Sequence, residues 1–515
     1  MSDPEQKGSY EVSGSNGDNW DLQSTVSYNL GLNEEGSSLL TLNVGGTLSK
    51  RKSNSFSFSG IGFLKPDLND IGFAARYPET SPSGSESINT TAGVFGNINL
   101  VVKNRYFADA SFRSSGNSNY GTKDMYSSYW SAGIGWNIHN ENFLKDSWVN
   151  LLRLKGSVGY VGNGNFSDIK PYTIYQYKIE NSYAGTIGAQ PISMGNDLLK
   201  AERQLQLNLG LNASFLNERL DVTFEVYSQK TKDMLLDISM PPSSGITTTK
   251  SNLGEKVNRG YEWSVSAVPV RTNDIFWRVN LNSSHSKNKV QKISNALKRQ
   301  SDANRDSTML VAPKIQLEEG EPDDAIYAVR SLGIDPATGE EIFLKKDGSR
   351  TFQYDPQDKV ALGSATPKFE GSFSTTFSYK RVSLSIALSF TFGGYIYNST
   401  RASKIENIDA KSNVDKRAFT KRWMKAGDLV DYAKIDRTYG FSHSERFVEK
   451  KNEVDITSIG VMYDVNPDWV KRIGLKKLVL GVQLSDIGRI STVKYERGTS
   501  YPYMRGFNFT ISPTF

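Results

Sequence analysis

Leu205, Leu207, Leu209, Leu211, Ala213 and Phe215 alternate with Gln206, Asn208, Gly210, Asn212 and Ser214. A period of two belongs to a strand, since a helix would bring apolar residues back every three or four positions. Beyond Asn217-Glu218, Leu220, Val222, Phe224 and Val226 alternate with Asp221, Thr223 and Glu225, so the two runs predict one long hairpin. The pattern returns at Trp130, Ala132, Ile134, Trp136 and Ile138, at Leu384, Ile386, Leu388, Phe390 and Phe392, and at Leu478, Leu480, Val482 and Leu484. One face of each run is apolar and the other is small and polar.

Extending this reading predicts fifteen long strands, at about 20–31, 37–49, 91–102, 105–113, 126–138, 151–161, 204–215, 220–229, 260–270, 275–285, 368–379, 382–392, 454–464, 475–485 and 504–515. Their connections alternate between short and long along the whole chain. Bacterial outer-membrane barrels show this asymmetry, with brief periplasmic turns and extended extracellular loops. Strands of a soluble sandwich average about five or six residues, whereas these reach about ten, as tilted membrane-crossing strands must. No fixed-period repeat points to a propeller or solenoid. The predicted fold class is therefore all-β, a transmembrane antiparallel barrel.

Composition fits. Only 37% of the 515 residues are apolar, yet Tyr and Phe number 25 each and Gly 44. No run approaches the roughly 20 apolar residues of a membrane helix. With no cysteine, disulfides, thiol nucleophiles and Cys-ligated metal sites are excluded. The net charge of +6 is spread along the chain, which argues against a nucleic-acid partner. The polar opening, Met1 to Tyr10, lacks the positive end and apolar run of a secretory leader. Either the chain is cytosolic or its exported N-terminus lies elsewhere.

Several segments resemble the SusC/RagA family of TonB-linked outer-membrane proteins, found in Bacteroidetes-like bacteria. They include Arg105-Tyr-Phe-Ala-Asp-Ala-Ser-Phe-Arg-Ser-Ser-Gly-Asn-Ser-Asn-Tyr-Gly121, where Ser115 replaces the usual Asp, and Ser131-Ala-Gly-Ile-Gly-Trp136. Leu154-Lys-Gly-Ser-Val-Gly-Tyr-Val-Gly-Asn163, Lys230-Thr-Lys-Asp-Met-Leu-Leu236, Gly333-Ile-Asp-Pro-Ala-Thr-Gly-Glu340 and Thr366-Pro-Lys368 continue the likeness. It runs co-linearly from about residue 90 to the end.

The resemblance implies a transporter barrel of about 22 strands around a plugged lumen, of which about 15 strands are recognised here and the plug is absent. If the last strand ends in the periplasm, counting back makes strand 20–31 run inward. Residues 1–19 are then expected to be a polar extracellular loop remnant, and 20–515 the C-terminal part of the barrel. The expectation is a truncated or split member in the outer membrane.

The last strand places Phe507, Phe509 and Ile511 on one face and ends on Phe515. An aromatic end on an amphipathic strand resembles the signal read by the outer-membrane assembly machinery. Other chemistry is thin. His139, His285 and His443 lie far apart without metal-ligand spacing, and Asp335 to Glu340 is a turn before it is a calcium loop. Trp20, Trp130, Trp136, Trp148, Trp263, Trp277, Trp423 and Trp469 lie mainly near strand ends, where interfacial girdles form. No catalytic, metal or cofactor residue is expected, and no enzymatic activity.

The function implied is import of an oligosaccharide or oligopeptide. The resemblance adds a SusD-like surface lipoprotein, a TonB complex acting through the missing N-terminal part, and outer-membrane lipid around the wall. A non-transporting structural or adhesive barrel and a soluble carbohydrate-binding β protein are the alternatives.

Overall fold

The computed structural model describes all residues except 1–7, 64, 66–69, 79–81, 122, 124, 164–171, 184–185, 241, 307–311, 409–410, 412–413, 436–441 and 495–504. Fifteen strands form one sheet: β1 (Ser9–Gly31), β2 (Leu39–Ile61), β3 (Ser83–Val102), β4 (Tyr106–Asn117), β5 (Tyr126–Asn137), β6 (Val149–Asn163), β7 (Glu202–Phe215), β8 (Leu220–Lys232), β9 (Glu255–Arg271), β10 (Ile275–Lys292), β11 (Phe369–Tyr379), β12 (Val382–Tyr397), β13 (Val448–Asp464), β14 (Lys477–Ser491) and β15 (Gly506–Thr514). Each pairs antiparallel with its neighbours in the order β1 through β15, and among the described residues β1 and β15 are the two edges. All fifteen expected strands are present.

Many strands outrun the alternation that betrayed them. β1 begins at Ser9 and pairs with β2 without interruption from Ser9 opposite Ile61 to Gly31 opposite Leu39. Residues 9–19, expected in an extracellular loop, continue the strand, while 1–7 lie outside the described residues, as does the start of the strand expected at 504. Similar extensions lengthen β10 and β13 at their long-loop ends. Beyond the lipid, a strand needs no apolar face, so hydrogen bonding persists where the hydrophobic pattern has faded.

Register converts alternation into two chemically distinct surfaces. Phe224 lies opposite Leu211 and Trp263, Leu281 opposite Val265 and Phe373, and Phe373 opposite Leu388. On the reverse face Glu225 lies opposite Gly210 and Glu262, and Asn282 opposite Ser264 and Ser372. The apolar side is bare: Val26 is 72% and Ile134 70% exposed. A continuous exposed apolar face is costly in water and is the lipid surface of a barrel.

The short turns are tight. Lys103 and Asn104, between β3 and β4, both have positive φ, and Arg105 N–H donates to Val102 O. This is the mirror-image turn whose twist matches paired strands. Between β7 and β8, Leu216, Asn217 and Glu218 all have positive φ, a conformation that L residues resist. The Asn150 side-chain oxygen accepts the N–H groups of Asn217 and Glu218, at 2.7 and 3.4 Å. That neighbour holds the turn in place.

Small strand pairs and a helix decorate the opposite end. Ile174–Tyr183 pairs with Thr186–Ser193, Leu235–Ser239 with Thr248–Asn252, and Ala325–Ile334 with both Glu341–Leu344 and Lys359–Ser364. Helix α1 (Asn295–Asp306) precedes that last group.

Candidate functional site

The polar face of the wall is a field of short side chains. Asn43 donates to Asn97 at 2.7 Å, Asn282 to Ser372 at 2.8 Å, and Ser111 and Ser131 share a hydrogen bond at 2.7 Å. Lys155 reaches across β7 to Glu225 at 3.2 Å, over Gly210. Phe107 lies over Gly135, where a Cβ would fall 1.9 Å from the ring, and the Arg153 guanidinium sits 5.5 Å from the same ring centroid. Glycine is needed at 135 because the aromatic occupies its side-chain space. This face can hydrate a passage or bind polar groups.

At the long-loop end the two longest connections, 293–368 and 398–447, form one body. A parallel bridge joins Val329 to Ser444. Trp423 Nε1–H and Gly427 N–H both donate to Pro336 O at 2.9 Å, and Lys434 pairs with Glu340 at 2.7 Å. Gly339 has φ +71° and packs so close to Trp423 that a Cβ would come within 2.5 Å of the indole. Inside the second loop, buried Arg422 donates to the carbonyls of Ala418, Ala433, Ile405 and Glu406, wrapping the chain around Ile405, Ala418 and Tyr432. This body rests on the inner face of the rim through Lys256 to Asp323, at 3.0 Å, and Asn288 to Asp324, at 3.4 Å.

A buried ion cluster holds the two loops together. Arg446 Nη2 lies 2.7 Å from Glu341 and 3.1 Å from Glu406, and Ser444 Oγ–H donates to Glu341. Burial alone would raise the Glu341 carboxyl, but Arg446 and the Ser444 hydroxyl outweigh it and hold the acid below its ordinary range. Burial opposes the Arg446 charge, and the two carboxylates more than reverse that effect. Nearby, burial pushes the Lys359 ammonium down to about 8 while it donates to Arg305 O at the end of α1, at 2.6 Å.

Phe507, Phe509 and Ile511 do share the apolar face of β15, opposite Leu484, Val482 and Leu480. Phe515 follows at the chain end, 80% exposed. The histidines are dispersed. His139 lies beside a short turn with Nδ1 3.2 Å from Leu152 O, His285 is flanked by Tyr261 and Phe369 on the outer face, and His443 is buried edge-on to Tyr397 between the loops. Among the described residues no group of His, Asp or Glu is placed to hold a metal. Asp335 makes a turn: its side chain accepts from Thr338 Oγ1 at 2.7 Å and Ala337 N–H at 3.3 Å.

Comparison with known proteins agrees with this architecture. The family described as TonB dependent receptor-like, beta-barrel, matches residues 4–402. TonB-dependent receptor P39 of Formosa agariphila is 24% identical over 501 residues, covering 84% of this chain and 46% of its own. TonB-dependent receptor SusC of Bacteroides thetaiotaomicron is 26% identical over 340 residues, 61% of this chain and 32% of its own. The RagAB peptide transporter structure has a TM-score of 0.82 at 21% identity, over 94% of this chain and 53% of that one, a likeness of fold. This chain thus spans about half of that structure and less than half of those two curated relatives. On its sequence match, its fifteen-stranded sheet and its two-faced wall, the chain belongs to the TonB-dependent receptor β-barrel family of the outer membrane.

Proposed function

We propose that this chain supplies the wall and extracellular loops of a TonB-dependent importer of the SusC/RagA type, taking up oligosaccharides or oligopeptides with a SusD-like surface lipoprotein as partner. The observation that carries this reading is the loop body. Two loops that could have remained independent are locked together by Arg446, Glu341 and Glu406 and seated on the inner rim through Asp323 and Asp324. Such order in extracellular connections is the mark of a working surface on a rigid scaffold. The amide- and hydroxyl-rich inner wall suits a hydrated polar solute. In this reading energy comes from a TonB complex acting through a plug-bearing part of the system, and the chain is not itself an enzyme.

The test is uptake of fluorescent oligosaccharides and oligopeptides by cells with and without this gene. The account expects TonB-dependent loss of one substrate class, and co-isolation of a surface lipoprotein with the tagged chain. Unchanged uptake of both classes would contradict it.

The same reading assigns Phe507, Phe509, Ile511 and Phe515 to recognition by the assembly machinery. An exposed apolar edge strand ending in an aromatic presents unpaired backbone groups and side chains together.

A further inference from the structure

Along β10 the outward positions run Trp277, Val279, Leu281, Ser283, His285, Lys287 and Lys289. The first five are the lipid-facing stretch. From Trp277 to His285 is eight residues, about 26 Å of strand at about 3.3 Å per residue, which tilt brings into the range of the apolar band. On neighbouring strands the change comes at the Lys287 register row or one to two rows above it. On β9 the outward series passes from Trp263 and Tyr261 to Arg259, and on β8 from Phe224 and Val226 through Ser228 to Lys230 and Lys232. On β7 it passes from Leu209, Leu207 and Leu205 to Arg203. The ring contacts Phe224 to Tyr261, Tyr261 to His285 and His285 to Phe369 mark the upper edge of the apolar zone. Six cations stand immediately above it.

Their arrangement is unfavourable by itself. Arg259 lies directly opposite Lys287 in the β9–β10 register, and like charges directly opposite are destabilising. Lys289 follows two residues on, on the same face. All three are exposed, and among the described residues none of the three forms an ion pair. Elsewhere on the same outer face a cation finds a carboxylate: Lys52 of β2 pairs with Glu86 of β3 at 3.3 Å. In the cluster itself Lys230 has Glu255, at 3.1 Å, and Arg203 has Asp233, at 3.0 Å. Of the remaining four, Lys232 stands further up β8, and Arg259, Lys287 and Lys289 lie together on β9 and β10.

We propose that this outer-rim cluster binds a phosphorylated lipid headgroup of the outer leaflet, with Arg259, Lys287 and Lys289 as its phosphate ligands and the Tyr261–His285–Phe369 row beneath its acyl chains. Position selects a lipid over a soluble anion. Arg259 and Lys287 sit roughly 7 Å and Lys289 roughly 13 Å along the strand beyond the aromatic row at about 3.3 Å per residue, at headgroup depth on the face whose lower half is apolar. Basic groups at this depth gain from anionic headgroups, and the guanidinium supplies the planar fork that phosphate accepts in pairs. A bound phosphate also turns the Arg259–Lys287 repulsion into two attractions.

The test uses the purified chain in phosphatidylcholine nanodiscs containing lipid A or enzymatically dephosphorylated lipid A, with bound lipid read by native mass spectrometry. Wild type should retain phosphorylated lipid A and release the dephosphorylated form. Each basic side chain near a charged surface contributes about fivefold, so Arg259→Gln with Lys287→Gln and Lys289→Gln should weaken retention about a hundredfold. The triple variant should fold at least as well as wild type in lipid-free detergent, because it relieves the opposed charges. Lys287→Arg with Lys289→Arg should keep the lipid, and so should Lys52→Gln. Equal retention of dephosphorylated lipid, displacement by inorganic phosphate at concentrations comparable to the lipid, or unchanged retention by the triple variant would each overturn the proposal. None of these readouts depends on transport.

Discussion

Arg446 and Glu341, 105 positions apart in the chain, meet at 2.7 Å in the buried seam between the two longest extracellular loops. Glu406 shares the guanidinium, and Ser444 donates to Glu341. The Val329–Ser444 bridge and the Trp423 contacts with Pro336 and Gly339 flank this charged centre, so the seam joins backbone pairing, packing and charge satisfied inside the protein.

Truncating one member leaves the others buried and uncompensated. Arg446→Ala should loosen the loop body by about 3–5 kcal/mol, while joint replacement of Arg446 and Glu341 by apolar residues should cost much less. Hydrogen exchange over 333–340 and 421–434 measures this, since those segments meet through Trp423, Gly427 and Pro336. Increased exchange in 333–340 alone, with 421–434 unmoved, would show that the two loops are independent.

The seam also sets a pH window. Glu341 is held below its ordinary value near 4.5 in the folded chain, so the unfolded state binds the proton first as pH falls. Its contribution is complete above about 4.5 and is lost as pH drops through the lower folded value. Lys359 gives a second window on the alkaline side. Its ammonium is pushed from 10.5 to about 8, so between those values the unfolded chain carries more protons and loop stability rises with pH. Protease resistance of the loops, followed from pH 3 to 10 with a pH-corrected rate for an unstructured substrate, should fall on the acid side and increase slightly above about 8.

The β7–β8 turn supplies a prediction on the other side of the membrane. Asn150→Ala removes the acceptor for Asn217 and Glu218 N–H, where three successive L residues have positive φ. The cost should be about 1–2 kcal/mol, seen as a lower heat-modification midpoint on semi-native gels. Asn217→Gly, which relieves a positive φ, should recover part of it.

Assembly tests the terminal strand. Deleting Phe515, or replacing Phe507 and Phe509 with serine, should lower outer-membrane yield several-fold and leave the chain in periplasmic protease-sensitive form. Equal yield would remove these residues from any recognition role.

The wall was legible in the sequence because its physics is local. Alternation at Leu205 to Phe215 or Leu220 to Val226 is visible without any knowledge of partners, and the parity of short and long connections follows from it. Strand ends were not legible. Ser9 to Asn19 and Val448 to Glu453 pair through backbone groups where side chains carry no period-two pattern. The loop body escaped for a different reason: Arg446, Glu341 and Glu406 come from segments far apart, and each alone resembles a solvated surface charge. Asp335 to Glu340 reads as a turn from sequence alone, but its docking against Trp423 and Lys434 is tertiary. The outer-rim cations were in plain view at every second position, yet only register shows that Arg259 faces Lys287.

The central claim is that the two faces of this sheet meet two different solvents. The chain contains no cysteine, so single cysteines can be placed along β8 without background. Cells carrying Val222→Cys, Phe224→Cys, Val226→Cys, Asp221→Cys, Thr223→Cys or Glu225→Cys are labelled with a membrane-impermeant aqueous maleimide and, separately, a lipid-soluble one. The account predicts strict alternation, with 222, 224 and 226 modified from the lipid phase and 221, 223 and 225 protected from it. Uniform aqueous labelling of all six positions would contradict a membrane-spanning wall.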